Sequence, residues 1–247
     1  AKNNFNVPHA KRYTDAETPF NDLEYFNWPV IVKPVDSAGS KGVTKVDSPD
    51  DLKKAINIAL DNAHGDAFII EDFLTFKGYH SSADPFSVDG ELKFVSYSDQ
   101  LFDSKADNPY TPSMIIWPST MEDRHMSYLT SETQRLLTLL GCKTGIYNIE
   151  TCVDINDKPF LMEVRSAVGL PPSTVVQTKL NGCWCEMVIH SDSKETGKFV
   201  RLDIDPVIKN KYVKVIDLSA KPGDIIHPFT GANMSLGDIF LKFEDRV

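Results

Sequence analysis

The order of apolar and polar residues in the first third of the chain predicts a small lobe of strands around one helix. The apolar run at residues 28–34 contains three β-branched residues, which is typical of a buried strand. Ser48 and Pro49 are favoured residues for the cap and first turn of a helix. Apolar residues then follow Leu52 at helical spacing, so this helix has one face for packing. Two further strands, at residues 43–46 and 67–74, complete the predicted unit.

The middle of the chain predicts a second, larger lobe. Polar and apolar residues alternate at 80–88 and 91–98, and Asp89-Gly90 between these runs favours a tight hairpin turn. A helix is predicted at 127–140, and Gly141 suits the left-handed residue that ends a helix. The remaining predictions are a loop-rich stretch at 99–126, strands at 145–155 and 158–165, a helix at 173–190, and short strands with a turn at Pro222-Gly223 near the end.

Composition and charge narrow the function classes. The 247 residues include 26 Lys and Arg, 35 Asp and Glu, and 41% hydrophobic residues, which excludes intrinsic disorder. The net charge of −9 argues against binding along a nucleic-acid backbone but not against a small anion held by local lysines or a metal ion. No apolar run reaches the ~18–20 residues of a membrane helix. The first residues lack the apolar core of a signal peptide, so we expect a cytoplasmic protein.

A predicted hairpin near residue 156 brings two glutamates together. If Asn156 and Asp157 form a two-residue turn, Glu150 lies directly across from Glu163 on one face of the sheet. Directly opposed like charges destabilise a sheet, so this pair most simply binds a cation. Mg²⁺ suits two carboxylates, because it takes its remaining ligands from water and phosphate oxygens. From the residues alone, two surface acids or an acid–base pair that shares one proton are the alternatives.

Lys33 and the loop after it favour a polyphosphate ligand. Lys33 ends a buried apolar run, where its ammonium group must reach solvent or an anion. The small residues of loop 36–42 allow backbone N–H groups to approach a ligand, and Lys41 adds a second cation. The loop matches neither the Walker A nor the Rossmann pattern. An ordinary surface turn with a solvated lysine is the alternative from these residues.

Three segments, in this order, resemble the ATP-grasp superfamily of carboxylate–amine ligases: PVIVKPVDSAGSKGV, FIIEDFL and NIETCVDINDKPFLMEV. The resemblance implies an α+β fold, the ATP-grasp fold, in which two α/β lobes with mainly antiparallel sheets clamp ATP between them. The implied division places the end of a preceding region and the small lobe at 1–73. The large lobe with the metal site then occupies 74–190, and a small β-rich extension occupies 191–247.

The resemblance also implies roles for individual residues. Lys33 would contact the ATP phosphates, and loop 37–42 would close over them with Lys41 nearest the γ-phosphate. Glu150 and Glu163 would bind one or two Mg²⁺ ions. The implied ATP-binding residues are Lys33, Ser37, Gly39, Ser40, Lys41, Gly42, His80 and the hinge residues Glu71, Asp72, Phe73 and Leu74, whose backbone would bind adenine.

Two positions depart from the family pattern. Many members hold the ribose with a glutamate, whereas the nearest residue here is His80, which is either a ribose contact or a strand histidine without a ligand. After the second metal-binding glutamate, members usually read E-x-N-P-R. Here Arg165 occupies the asparagine position and Ala167 the arginine position. We therefore expect either that Arg165 is a catalytic residue together with Lys41, or that the second metal site is weak.

The implied activity is an ATP- and Mg²⁺-dependent ligation. A small-molecule carboxylate is converted to an acylphosphate, which an amine then attacks. The alternatives are a bicarbonate-activating enzyme similar to carbamoyl-phosphate synthase or biotin carboxylase, and a nucleotide-binding module without turnover. The family's upstream domain has no counterpart in the sequence, so we expect a separate N-terminal domain or subunit. The sequence is also compatible with a homodimer. Four polar residues are candidates for contacts with the acceptor substrate: Arg124, His125, Arg165 and Ser173. For the first two, structural or solvated roles are favoured.

Overall fold

The computed structural model describes residues 3–168 and 181–245, with the backbone alone for 165–168. Its first part is a small antiparallel sheet covered by helix α1 (Leu52–Asp61). The strands of this sheet are β1 (Ala10–Tyr13), β2 (Val30–Pro34), β3 (Thr44–Val46) and β4 (Phe68–Asp72), in the spatial order β1-β4-β2-β3.

A large antiparallel sheet forms the rest of the core and carries helix α2 (Asp123–Leu139) on one face. Its strands are β5 (His80–Val88), β6 (Glu91–Phe102), β7 (Pro112–Trp117), β8 (Gly145–Val153), β9 (Pro159–Val168), β10 (Cys183–Ile189), β12 (Val213–Leu218) and β14 (Gly237–Phe243), in the order β12-β14-β10-β7-β6-β5-β8-β9. The short strands β11 (Gly197–Lys198) and β13 (Ile225–Ile226) pair separately, and helix α3 (Pro206–Lys211) precedes β12.

Alternation along β2 separates the core of the small lobe from its ligand-facing side. Val30 and Val32 are fully buried and pack with residues of α1, including Ile56. Ile31 and Lys33 point to the opposite side. The predicted strand and helix are both confirmed, with a short 3₁₀ turn at Pro49–Asp51 before α1 begins.

Side chains also alternate between the two faces of the large sheet. Tyr147 and Ile149 are buried in the cluster under α2, so Asn148 and Glu150 lie on the other face. The hairpin turn between β5 and β6 is confirmed, since Asp89 and Gly90 both have left-handed backbone conformations. Gly141, with φ of 69°, follows the end of α2 as predicted.

Two predictions in this lobe were wrong. Residues 183–189 form strand β10 rather than the second half of a helix, because β10 is paired on both sides, with β7 and β14. The other half of that predicted helix, 173–180, lies outside the described residues. The stretch at 99–126 contains the end of β6, strand β7 and the first turn of α2, which begins at Asp123 and not at the predicted residue 127. Pro112 begins β7 and Pro118 follows it, so these prolines flank the apolar run instead of interrupting it.

The described part of the chain contains no helix that is long and apolar enough to cross a membrane.

Candidate active site

A cavity of about 840 Å³ lies between the two sheets and collects most of the predicted site residues. The small lobe contributes the outward side of β2 and β4, and the large lobe contributes β6, β8 and β9. Gly39 and Gly42 belong to the loop beside the cavity, and the side chain of Arg165 lies outside the described residues. The predicted residues that line the cavity are Lys33, Ser37, Ser40, Lys41, Glu71, Asp72, Phe73, Leu74, His80, Glu150 and Glu163.

Glu150 and Glu163 are paired across β8 and β9, as predicted, but the turn that connects these strands was predicted wrongly. Asp154 and Lys158 close the hairpin, which leaves three loop residues, with Asp157 in the left-handed conformation. A bulge on β9 then shifts the register by one residue, because Met162 is the extra residue between the pairs Glu150–Glu163 and Thr151–Leu161. The longer loop and the bulge compensate, so the predicted pairing is correct for a reason that the sequence analysis missed.

The bulge also determines which side chains face the cavity. On β9, Leu161 and Val164 both pack in the cluster under α2. Their separation by three residues is incompatible with a regular strand, in which side chains alternate. The two residues between them, Met162 and Glu163, both line the cavity, and Val164 also contributes to its wall. The bulge thus adds an apolar side chain beside the paired carboxylates.

Lys33 forms an ion pair with Glu71 on the wall of the cavity. The distance from Lys33 Nζ to Glu71 Oε1 is 2.8 Å, and the two side chains are 21% and 9% exposed. They occupy diagonal positions on β2 and β4, where Lys33 is paired with Ile69 and Glu71 with Ile31. The expectation that Lys33 needs an anion is met within the protein, and its ammonium group also faces the cavity.

The backbone at the predicted hinge is partly engaged within the protein. The Asp72 N–H donates to the carbonyl of His9 at 2.9 Å, and the Phe73 N–H donates to the carbonyl of Pro29 at 3.0 Å. Leu74 lines the cavity, and among the described residues no acceptor is found for its N–H group. Within this segment, Leu74 is therefore the residue suited to donate a backbone hydrogen bond to a ligand.

Loop 37–42 has a backbone that turns sharply beside the cavity. Gly39, Ser40 and Gly42 all have positive φ, at 67°, 59° and 74°. Left-handed residues of this kind orient neighbouring N–H groups to one side, which is common in anion-binding loops. Lys41, between two of these residues, lines the cavity.

His80 lies among aromatic residues at the large-lobe side of the cavity. Its Nδ1 is 3.0 Å from the side-chain oxygen of Gln100, and its ring is edge-on to Phe76 and Phe102. Gln100 and Phe102 were not predicted as site residues, since they follow the predicted end of their strand. The turn at Asp89-Gly90 alone would have paired His80 with Asp99, and an irregularity between Phe86 and Ser87 shifts the pairing to Gln100, so no local signal pointed to Gln100.

Two of the four acceptor candidates lie away from the cavity. Arg124 contacts Asp157 at 2.6 Å, and His125 is 3.5 Å from the same carboxylate. Neither lines the cavity, which agrees with the structural role that the sequence analysis favoured for them. Ser173 lies outside the described residues, and Arg165 is described only by its backbone, which is paired with Asn148.

Comparison with known proteins identifies relatives of this chain. Residues 4–181 match the family model described as D-ala D-ala ligase C-terminus. A D-alanine–D-alanine ligase from Mannheimia succiniciproducens is 28% identical over 158 residues, which cover 63% of this chain and 50% of that protein. A formate-dependent phosphoribosylglycinamide formyltransferase from Synechococcus is 47% identical over 182 residues, with coverages of 63% and 45%.

Solved structures share the fold at low sequence identity. The L-amino acid ligase from Bacillus licheniformis has a TM-score of 0.75 at 18% identity, and covers 98% of this chain and 64% of its own. The biotin carboxylase domain of the Hydrogenobacter thermophilus 2-oxoglutarate carboxylase, solved with MgADP and bicarbonate, has a TM-score of 0.70 at 12% identity, with coverages of 99% and 60%. The chain spans about half the length of the curated relatives named above.

Proposed function

The chain belongs to the family of D-Ala D-Ala ligase C-terminal domains, which have the ATP-grasp fold, and on this premise we propose that it binds MgATP and activates a small-molecule carboxylate for attack by an amine. One observation carries the proposal. A single cavity brings the lysines Lys33 and Lys41 together with the paired carboxylates of Glu150 and Glu163. Cations for phosphate and acids for a metal ion in one cleft are what a metal–nucleotide complex requires.

The donor set fits Mg²⁺. Glu150 and Glu163 are directly paired on the cavity side of the sheet, so their carboxylates can share a hard cation. A Mg²⁺ ion held by these two carboxylates would supply charge neutralisation for phosphate oxygens. Lys33 and Lys41 act as point charges toward the same phosphates from the small-lobe side. Arg165 is two residues beyond Glu163 on β9, and its proposed role is to add positive charge for the transferred phosphate.

Apolar side chains of the cavity wall suit the base and sugar of a nucleotide. Ile31, Ile69 and Phe73 line the cavity, and the Leu74 N–H is the proposed backbone donor toward the ring. His80 faces the same space and is positioned by Gln100, which fits a contact with the ribose. Aromatic and aliphatic walls with a few placed polar groups are the usual composition of such a site.

The chemistry follows from positioning and charge neutralisation. An oxygen of the substrate carboxylate attacks the γ-phosphorus, and ADP leaves. The amine nitrogen then attacks the acyl carbon, and inorganic phosphate leaves as the amide forms. Loop 37–42 closes over the phosphates and excludes water, which would otherwise hydrolyse the acylphosphate. In this proposal a domain or subunit outside the 247 residues completes the acceptor site.

Calorimetric titration with ATP, in the presence and absence of Mg²⁺, tests the nucleotide site. We expect binding that Mg²⁺ strengthens, and a rise in melting temperature with MgATP because the ligand binds the native state. Glu150→Gln and Glu163→Gln should each remove the Mg²⁺ dependence while the fold is retained. Glu195→Gln makes the same charge change at an exposed position away from the cavity and serves as the control. Absence of any ATP binding by the folded protein would exclude the nucleotide site.

Phosphate release, measured with a panel of carboxylates, tests turnover. D-alanine, L-amino acids and formate represent the substrates named for the relatives, and each is tested with and without amines. Bicarbonate is included because one structural neighbour contains it. Release that needs both a carboxylate and an amine supports the ligase. Release that needs only bicarbonate identifies the bicarbonate-activating alternative, and background rates throughout identify a nucleotide-binding module.

A further inference from the structure

Three segments that are distant in sequence meet at the side chain of Asn108. They are the phosphate loop 37–42, the segment 103–111 between β6 and β7, and the segment 228–232 that precedes β14. Asn108 is 8% exposed. A buried carboxamide requires partners for two donor hydrogens and its oxygen, so its surroundings show what it holds together.

The carboxamide of Asn108 bonds to all three segments. Its Nδ2 donates to the carbonyl of Ser40 at 2.6 Å and to the carbonyl of Thr230 at 3.2 Å. Its Oδ1 accepts from the Tyr110 N–H at 3.0 Å. Its backbone N–H donates to the carbonyl of Phe229 at 3.2 Å. One side chain thus connects the phosphate loop to the large lobe and to the C-terminal segment.

Neighbouring contacts strengthen the same junction. Ser40 Oγ donates to the carbonyl of Tyr110 at 3.0 Å, and the Ala232 N–H donates to the carbonyl of Gly39 at 3.3 Å. A Cβ atom added to Gly39 would lie 3.1 Å from Cβ of Ala232, so the two backbones are in close contact. The phosphate loop is therefore held from the side of the large lobe as well as by its own strands.

The position of the Ser40 carbonyl bears directly on Lys41. That carbonyl belongs to the peptide group whose N–H is part of Lys41, and Ser40 is in the strained left-handed conformation. A hydrogen bond to this oxygen fixes the orientation of the peptide and the direction in which the Lys41 side chain leaves the backbone. Without this hydrogen bond, the left-handed conformation of Ser40 is less stable relative to other conformations of the loop.

We propose that Asn108 is a positioning residue that holds the phosphate loop closed over the nucleotide and makes the C-terminal segment 228–232 part of that closure. The inference rests on the proposed function for the identity of the ligand. Asn108 does not line the cavity, so it acts on the nucleotide through Ser40 and Lys41. The chemistry requires a carboxamide: a carboxylate of the same size retains the acceptor for Tyr110 but loses both donors.

The test compares Asn108→Asp with Gln134→Glu in the full protein. Gln134 is a matched control, because its Nε2 donates to the carbonyl of Gly90 at 2.9 Å and its Oε1 accepts from the Leu92 N–H at 2.7 Å. It lies on α2, away from the cavity. Both substitutions replace an amide by a carboxylate beside a backbone carbonyl. Of the two residues, only Asn108 contacts the phosphate loop.

Two readouts are measured: the rate of tryptic cleavage after Lys41 without nucleotide, and the Kd for MgATP. Cleavage in a loop reports how often the loop opens. Loss of the two hydrogen bonds should raise the cleavage rate and the Kd of Asn108→Asp about tenfold at pH 8. A protonated carboxyl can donate one hydrogen bond, so the Kd should partly recover near pH 5. Gln134→Glu should change neither readout.

Equal cleavage rates in Asn108→Asp and the wild type would overturn the proposal, whether or not nucleotide binds. An increase that Gln134→Glu shows equally would also overturn it, since the effect would then be general loosening. If Asn108→Asp does not fold, Asn108→Ala gives the same comparison, because it removes both donors without adding a buried charge. It should raise cleavage after Lys41 several-fold, and no increase would overturn the proposal. Wild-type protein that fails to bind MgATP contradicts the proposed function instead.

Discussion

The ammonium group of Lys33 and the carboxylate of Glu71 form an ion pair, 2.8 Å apart, on the wall between the two lobes. Neither side chain is fully exposed, so each needs the other to offset its desolvation. The pair also fixes Lys33 at the edge of the proposed phosphate site. Stability and nucleotide binding should therefore respond differently when the two partners are changed singly and together.

Lys33→Met should destabilise the protein by about 1–3 kcal/mol, because it leaves the Glu71 carboxylate buried without its partner. The double variant Lys33→Met/Glu71→Gln should recover most of this loss, since a neutral pair of similar volume avoids the desolvation cost. Urea unfolding measures both. MgATP binding should remain impaired in the double variant. Recovery of binding together with stability would show that Lys33 has only a structural role.

At Gly42 the surrounding atoms leave no room for a side chain. Its φ is +74°, and an added Cβ would lie 2.8 Å from Cβ of Asn62 and 3.0 Å from Cγ of Pro34. Gly42→Ala should lower the free energy of unfolding by about 1–3 kcal/mol through backbone strain and the clash. Gly197→Ala is the control, because nothing lies within 4 Å of its added Cβ. Equal unfolding free energies for the two variants would contradict this account.

The sequence predicted much of the fold and the pairing of the two site glutamates, because local patterns determine both. Alternation in β2 and β8 and helical spacing in α1 are visible in single segments. The pairing of Glu150 with Glu163 depended on a turn length that was wrong and a bulge that cancelled the error. No turn rule reveals such a bulge, since it depends on which side chains the packing under α2 accepts.

The features that the sequence analysis missed depend on contacts between distant segments. Strand β10 was predicted as part of a helix because its neighbours in the sheet, β7 and β14, are far away in sequence. Asn108 lies in a stretch that was described only as loop-rich, and its partners Ser40 and Thr230 are 68 and 122 residues away. Local patterns carry no information about such partners.

Cys152 lines the cavity but should be unreactive. Burial, with smaller contributions from the carboxylates of Asp154 and Glu71, raises the pKa of its thiol to about 12. The thiolate is the reactive species, so the native protein at pH 8 contains very little of it. Iodoacetamide followed by peptide mass spectrometry should label the more exposed Cys142 first and Cys152 only on unfolding. Equally rapid labelling of both cysteines would contradict the burial that raises this pKa.

Glu186 should make stability depend on pH in a defined direction. Burial, followed by the nearby carboxylates of Asp238 and Asp84, raises its pKa above the ordinary value. Between the unfolded pKa of about 4.3 and the higher folded pKa, the native state binds more protons, so stability is lost as pH rises. Glu186→Gln removes this loss and should raise the melting temperature at pH 7 but not at pH 4. Glu195→Gln makes the same charge change at an exposed position and should show no such difference between the two pH values. A gain at pH 4 as large as at pH 7 would assign the effect to packing instead of charge.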